Sequence, residues 1–335
     1  MPGQVQFYDY KPPQQGLGQA VVEGLTRARR AIPPKYFYDT RGSELFEQIC
    51  EQPEYYVPDA EREILTRHAG ELTELIGPGA LLIEPGAGAS RKVRLFLDRL
   101  RPSAYLPMDI SGDFLLDSAR ALAMEYPWLE IHAACVDYVH HLEIPEGLPD
   151  HHRVAFFPGS SLGNFEPEDA VGFLRKVADA VGVGGGLLIG IDMKKDKAVL
   201  DAAYNDRQGV TAAFNRNLLV RINRELGADF EPERFEHRAF YNEAAGRVEM
   251  HLVSRCAQRV RLNGGVFEFA AGEGIHTESS YKYTPREFRA LAVRAGFAPL
   301  SCWMDSRSLF SVHYLVHAPM GPDGPAGAQP QPSGL

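Results

Sequence analysis

The chain has 335 residues, 44% of them hydrophobic and 24% charged, an ordinary composition for a soluble globular protein and enough chain for two domains. A net charge of −9 without a lysine- or arginine-rich cluster argues against a nucleic-acid partner, and no apolar run approaches the roughly 20 residues that span a bilayer. The N-terminus has no signal-peptide pattern, and the four cysteines (Cys50, Cys135, Cys256, Cys302) have no paired spacing, so we expect a cytoplasmic protein with reduced thiols.

In chain order, Arg27-Ala28-Arg29-Arg30 reads as a solvated helix face, and a segment rich in proline and tyrosine follows it. The first strong signal is Leu81-Leu82-Ile83-Glu84-Pro85-Gly86-Ala87-Gly88-Ala89-Ser90. It predicts a buried strand, an acid, a glycine-rich turn and a helix that begins at Ser90-Arg91-Lys92 and reaches Leu100. Gly86 and Gly88 allow a sharp turn and bring bare main chain against a ligand, with helix N–H groups behind them. About 20 residues past the turn, after the strand-like Tyr105-Leu106-Pro107-Met108, Asp109 stands where the ribose hydroxyls of a nucleoside cofactor need an acceptor. Arg91 takes the place of the third glycine of a dinucleotide fingerprint. The Glu84 carboxylate would repel a pyrophosphate but suits a cationic sulfonium. The corner therefore favours S-adenosylmethionine over a nicotinamide cofactor.

The alternation continues with a helix over 113–125 behind Ser111 as N-cap, and strands over 130–134 and 153–157. A helix over 168–181 follows, and three glycines at 184–186 then turn into a strand over 187–192. This cadence predicts a doubly wound parallel sheet. It then breaks. One long helical segment covers 205–226, and antiparallel strands are expected over 238–241, 247–256, 266–269 and 279–283. A helix over 286–295 and strand-like runs over 300–304 and 310–316 close the sheet. The fold class expected is α/β: a Rossmann-like class I methyltransferase sheet with an inserted, mixed helical and antiparallel substrate-binding domain. Its boundaries are 8–59 and 196–285 for the substrate-binding domain, and 60–195 and 286–319 for the cofactor-binding domain. Residues 320–335, rich in Pro, Gly and Gln, read as a disordered tail.

With these residues assembled, the chain resembles the histidine-specific, S-adenosylmethionine-dependent Nα-methyltransferases of ergothioneine biosynthesis, from about Leu25 to His317. Four ordered blocks carry the likeness. The first is Pro33-Pro34-Lys35-Tyr36-Phe37-Tyr38-Asp39 with Gly42-Ser43-Glu44-Leu45-Phe46 and Pro53-Glu54-Tyr55-Tyr56; the second is the glycine turn at 84–92. The third is Phe157-Pro158-Gly159-Ser160-Ser161-Leu162-Gly163-Asn164-Phe165, and the fourth Ile275-His276-Thr277-Glu278-Ser279-Ser280-Tyr281-Lys282-Tyr283. The resemblance implies that Asn164 and Tyr204 hold the substrate α-carboxylate and that Glu278 and Ser280 read the imidazole. It places Tyr38, Tyr56, Gly159, Thr211 and Met250 around the amine and ring, with Tyr38 beside the reacting amine. Glu84, Gly86, Gly88, Lys92, Asp109, Asp137 and Tyr138 fall around the cofactor. Val57-Pro58-Asp59 departs from the family pattern after the tyrosine pair and leaves Tyr55 as the alternative to Tyr56. The implied reaction is three methyl transfers to L-histidine and its mono- and dimethylated forms, giving trimethylhistidine (hercynine). The expected partners are small molecules, and the chain is read as a monomer.

The residues by themselves leave alternatives open. Glu278 and Ser280, two apart in a strand, share a face and together offer an acceptor and a donor to a neutral imidazole. Lys282 shares that face too, and a surface ion pair with Glu278 is the competing reading. Gly163-Asn164 is also good turn chemistry, Tyr204 a core aromatic, Met250 ordinary core, and Asp137 a helix cap. The paired histidines at 140–141 and 151–152 lack ligand spacing and read as exposed loops, so no metal is expected. The rival activities are methylation of another amino acid such as a tryptophan derivative, a nicotinamide oxidoreductase, and a non-catalytic cofactor-binding protein.

Overall fold

The computed structural model describes residues 5–10 and 16–318, with the backbone of 320–321 and 324–325. The expectation of a disordered tail therefore lies outside the described residues, apart from a two-residue ladder between Met320–Gly321 and Gly324–Pro325. The strands in chain order are β1 (Val5–Asp9), β2 (Leu81–Pro85), β3 (Ala104–Asp109), β4 (Ile131–Cys135), β5 (Arg153–Phe157) and β6 (Gly186–Asp192). They continue with β7 (Phe235–Asn242), β8 (Arg247–Ser254), β9 (Gln258–Leu262), β10 (Gly265–Phe269), β11 (Gly274–Tyr281), β12 (Phe297–Met304) and β13 (Phe310–His317).

One sheet orders these as β1-β4-β3-β2-β5-β6-β13-β12, all running in one direction except β13, which is antiparallel to both β6 and β12. The parallel strands read as continuous apolar runs because helices bury both faces. The helices are α1 (Gly16–Thr26), α2 (Thr40–Ile49), α3 (Val57–Arg67), α4 (Ala69–Ile76), α5 (Leu97–Leu100) and α6 (Gly112–Glu125). After them come α7 (Pro167–Val181), α8 (Lys197–Ala203), α9 (Val210–Leu226) and α10 (Pro285–Arg294). On one face Leu81, Ile83, Leu106 and Phe157 meet Phe173 and Leu174 of α7 and Phe288 of α10. On the other, Leu82, Tyr105 and Phe156 meet Ile64, Leu72 and Leu115 of α3, α4 and α6. This second core runs on without a break into Phe214 and Leu218 of α9 and Leu252 and Ile275 of the smaller sheet β11-β8-β7. The inserted lobe is thus welded to one side of the large sheet, and β9 and β10 form a separate hairpin beside it.

Several expectations are corrected. No α-helix starts at Ser90: that residue has φ 49°, a 3-10 turn covers Val93–Leu95, and α5 is a single turn. Arg94 caps the carbonyls of Ala89 and Ser90 that a helix would have used. The helix expected over 205–226 starts only at Val210: α8 closes at Ala203, and residues 204–209 form a turn that ends at Gly209 with φ 72°. Arg27 and Arg29 are exposed beyond the end of α1, and Arg30 stacks on Phe269 instead of facing solvent on a helix. Tyr8 and Asp9, assigned to the substrate-binding domain, lie in β1, which pairs in parallel with β4 at the edge of the large sheet.

Candidate active site

The carboxyl ends of adjacent parallel strands carry the candidate groups in spatial order. Asp137 and Tyr138 follow β4, Asp109 ends β3, Gly86 follows β2, Gly159 follows β5, and Asp192 ends β6. This edge is where open α/β sheets bind ligands.

At the glycine corner, Gly86 and Gly88 have φ 70° and 51°, left-handed values that suit glycine. A Cβ on Gly86 would lie 3.1 Å from the Tyr138 hydroxyl, so the bare backbone is needed there, whereas Gly88 faces open space. The Asp109 carboxylate accepts from the backbone N–H of Gly88 (3.1 Å) and Ser111 (2.9 Å), which joins the ends of β2 and β3. Burial raises Asp109 and these backbone bonds offset it. Glu84 is placed differently from expectation. It is 2% exposed and accepts from the Tyr105 hydroxyl, which also lies 3.0 Å from Ser90 Oγ. Burial pushes Glu84 up to about 8, partly countered by Tyr105 and Lys92. Glu84 thus underlies the turn instead of lining it. A turn with a glycine cradle, an acid at the next strand end and a buried carboxylate beneath fits a cationic nucleoside.

Lys92 and Gly159 are joined through Glu61 of α3, which no motif had signalled. Glu61 is buried, accepts from the Gly159 N–H at 2.9 and 3.0 Å, and pairs with Lys92 Nζ at 2.5 Å. Asp137 pairs with Lys35 at 2.8 Å; burial opposes its charge, but Lys35 holds it below the usual carboxylate range.

Beside this corner lies a cavity lined by Tyr38, Phe46, Tyr55, Val57, Gly159–Ser161, Asn164, Asp192, Tyr204, Glu278, Ser280 and Lys282. Residues from four distant segments meet here. The loop after β5 reaches β11 because Gly163 has no side chain: a Cβ there would lie 2.7 Å from the Tyr281 carbonyl oxygen. A register shift between His276 and Glu278 resets β11 so that Glu278 pairs opposite Met250. Tyr38 stands between the two sites. Its carbonyl accepts from Ser111 next to Asp109, while burial, Glu278, Tyr138 and Asp109 together raise its hydroxyl well above the usual tyrosine range.

The surface-pair reading of Lys282 is overturned. Lys282 is 1% exposed and Glu278 8%, so both face inward. Lys282 pairs with Asp192 at 2.7 Å and donates to Tyr204 (3.1 Å) and Ser280 (2.9 Å). Lys195 and the Tyr56 hydroxyl complete the cluster on Asp192, Tyr56 at 2.7 and 2.9 Å. Burial pushes Lys195 down to about 8 despite Asp192. Tyr56 is therefore committed to Asp192, and Tyr55 is the tyrosine of that pair on the cavity wall. Thr211 and Met250 stand behind the wall: the Thr211 N–H donates to Asp206 at 2.7 Å, and Met250 belongs to the core. Asp192 could have been found as an acid at the carboxyl end of a buried strand, and Lys282 from its alternation with Glu278.

Among the described residues, Glu249, His251 and His276 place potential metal-ligand atoms within 4.8 Å of one another. Glu249 and His251 lie on the face of β8 away from Met250, His276 stands opposite His251 on β11, and the Glu249 carboxylate already accepts from Arg247 (2.9 Å), Asn242 (3.1 Å) and His251 (3.1 Å). The histidines at 140–141 and 151–152 are not part of this group.

A family model described as histidine-specific methyltransferase, SAM-dependent, matches residues 17–317. A histidine N-alpha-methyltransferase of Mycolicibacterium smegmatis is 40% identical over 309 residues, covering 90% of this chain and 95% of the relative. The protein of that name from Mycobacterium tuberculosis is 41% identical over 303 residues, covering 88% and 93%. Ergothioneine biosynthesis protein 1 of Neurospora crassa, a longer chain, is 30% identical over 312 residues, covering 87% of this chain and 34% of its own. With the family match running from 17 to 317 and bacterial relatives at 40% identity over 90% of its length, the chain belongs to the histidine-specific, S-adenosylmethionine-dependent methyltransferases.

Proposed function

We propose that the protein transfers three methyl groups in succession from S-adenosylmethionine to the α-amine of L-histidine, giving hercynine for ergothioneine biosynthesis, as a cytoplasmic monomer. One observation carries this reading. Among the described residues the Tyr38 hydroxyl, the Asn164 amide and the Glu278 carboxylate have no hydrogen-bond partner, and all three line one cavity. Polar groups that face a cavity without a protein partner are what a polar ligand satisfies. In this reading 8–59 and 196–285 form the substrate side, apart from the β1 residues Tyr8 and Asp9, and 60–195 with 286–319 the cofactor side.

S-adenosylmethionine, held by Gly86, Gly88, Lys92, Asp109, Asp137 and Tyr138 above Glu84, supplies a methyl group activated by the sulfonium charge. The chain's own residues then align the acceptor and exclude water. Asn164 and Tyr204 donate to the α-carboxylate, Glu278 accepts from a ring N–H, and Ser280 donates to the other ring nitrogen. The amine must be neutral to attack. Tyr38 keeps its proton, so it accepts a hydrogen bond from the amine or passes a proton to water instead of acting as an obligate base. The faces of Phe46 and Tyr55, rings 6.5 Å apart, favour the methylated cation.

Incubation with the cofactor and a mixture of the common amino acids, followed by mass spectrometry, tests the proposal. A triply methylated histidine is the expected product. Methylation of another residue, such as a tryptophan derivative whose indole offers one donor and no acceptor, favours the rival enzyme. Cofactor binding without methylation favours a binding protein. Glu278→Ala should lower kcat/KM for histidine by about 10- to 150-fold and leave cofactor affinity within about twofold, because a hydrogen bond to a charged group is lost on the substrate side alone. Unchanged activity on histidine removes Glu278 from ring recognition.

A further inference from the structure

The Lys282 ammonium has three N–H donors and no lone pair. Each donor has its own partner: Asp192 Oδ2 at 2.7 Å, Ser280 Oγ at 2.9 Å and Tyr204 Oη at 3.1 Å. The two hydroxyl oxygens can only accept from it. Their own protons must therefore point elsewhere, and both side chains line the cavity. Asp192 is itself fixed, through Lys195, the Tyr56 hydroxyl and the Ser160 hydroxyl, which accepts from the Asp192 N–H at 2.8 Å. Ser160 holds a left-handed φ of 61°, a conformation unfavourable for serine that the surrounding bonds sustain. Burial opposes the ammonium charge, but Asp192 and Tyr204 together outweigh it and keep the group charged.

We infer that Lys282 is a positioning residue that occupies the Ser280 and Tyr204 oxygens and so biases both hydroxyls toward donating to the substrate. The inference rests on the proposed histidine reading and deepens it. With Glu278 able only to accept when ionised, the wall presents one acceptor and one donor in fixed places. Imidazole specificity then has two separable halves. Glu278 demands a ring N–H, and the Lys282–Ser280 pair demands a ring nitrogen with a free lone pair. A ring without that lone pair leaves the Ser280 proton facing nothing in a closed site. Without Lys282 the serine oxygen is no longer held as an acceptor for the ammonium, its hydroxyl is free to rotate away from the ring, and the penalty falls.

The test compares histidine with two alanine derivatives, one bearing a pyrrole ring (N–H, no acceptor nitrogen) and one a thiazole ring (acceptor nitrogen, no N–H). In the wild type both should be poorer substrates than histidine. Lys282→Met should shrink the histidine-to-pyrrole ratio of kcat/KM by about tenfold and leave the histidine-to-thiazole ratio within about twofold. Ser280→Ala should shrink the pyrrole ratio in the same way, and in the Lys282→Met background it should add nothing. Ser280→Ala also serves if Lys282→Met does not fold. Equal shrinkage of both ratios, or a pyrrole ratio unmoved by either variant, overturns the inference. Wild-type protein that does not methylate histidine instead sinks the proposed function, a result distinct from activity with unmoved ratios.

Discussion

Glu278 is a carboxylate placed where its charge is unwelcome. Burial raises it from 4.5 to about 7, with Lys282 restoring only part of the difference. Between these two values the folded chain binds a proton that the unfolded chain releases. The group therefore favours the fold most below pH 4.5, and that contribution is lost as pH rises through 7. Once ionised it costs of order 3 kcal/mol relative to a group with an ordinary carboxylate pKa. Recognition of a ring N–H asks for the ionised form, so stability and function pull against each other at this residue. Glu278→Gln, which removes the ionisation, should raise the Tm at pH 8 and leave it nearly unchanged at pH 5. Thermal melts at both values check this, and an equal shift at the two shows that the charge is not what costs stability. Lys282 sits at the same scale, and its pattern misled because a lysine on a strand face is nearly always solvated. Only the distant Asp192, 90 residues earlier in a different sheet, makes its burial tolerable.

At the scale of elements, the loop after β5 and strand β11 are held together by what Gly163 lacks. A methyl there would sit 2.7 Å from the Tyr281 oxygen and 3.2 Å from its nitrogen, both rigid backbone atoms. Gly163→Ala must push the 3-10 turn Ser161–Asn164 away from β11 and carry Asn164 away from Ser280 and Glu278. We expect a loss of about 1–3 kcal/mol in stability and a raised KM for histidine, with cofactor affinity kept because the glycine corner is untouched. Chemical denaturation and titration of each ligand separate these effects. The same junction marks the limit of what the sequence makes legible. Strands β2 to β6 are readable because they are apolar runs buried on both faces, and the blocks at 157–165 and 275–283 stand out by their residues. That these two blocks touch depends on a missing Cβ, which periodicity does not register. Strand β1 escapes notice because a short, half-exposed edge strand carries little pattern, and the helix expected at Ser90 fails because Ser90 adopts a left-handed turn. Tyr55 and Tyr56 are told apart only by the direction in which α3 leaves them, one ring to the cavity and the other to Asp192.

Across the whole molecule, residues 31–39 act as a strap between the two halves. On the substrate side the Ile32 N–H donates to the His276 carbonyl at 2.9 Å, Arg221 donates to the Tyr36 carbonyl at 3.0 Å, and Arg224 pairs with Asp39 at 2.7 Å. On the cofactor side Lys35 pairs with Asp137 and the Tyr38 carbonyl accepts from Ser111. Tyr38, three residues from Lys35, is part of the cavity wall, while the strap's far anchor is a residue proposed to contact the cofactor. The Lys35 side chain is 35% exposed, which limits the pair to about 1 kcal/mol and leaves it open to screening by salt. Lys35→Met should therefore barely change overall stability and yet move the two ligands in opposite directions. Histidine binding should weaken by about two- to fivefold as Tyr38 loses its anchor, and S-adenosylmethionine should bind up to about fivefold tighter as the Asp137 charge is freed. High salt should reproduce part of both shifts in the wild type and little of either in the variant. Calorimetric titration of each ligand at low and high salt measures all four quantities. If both affinities fall together, the strap only holds the fold; if they separate, it couples the two sites.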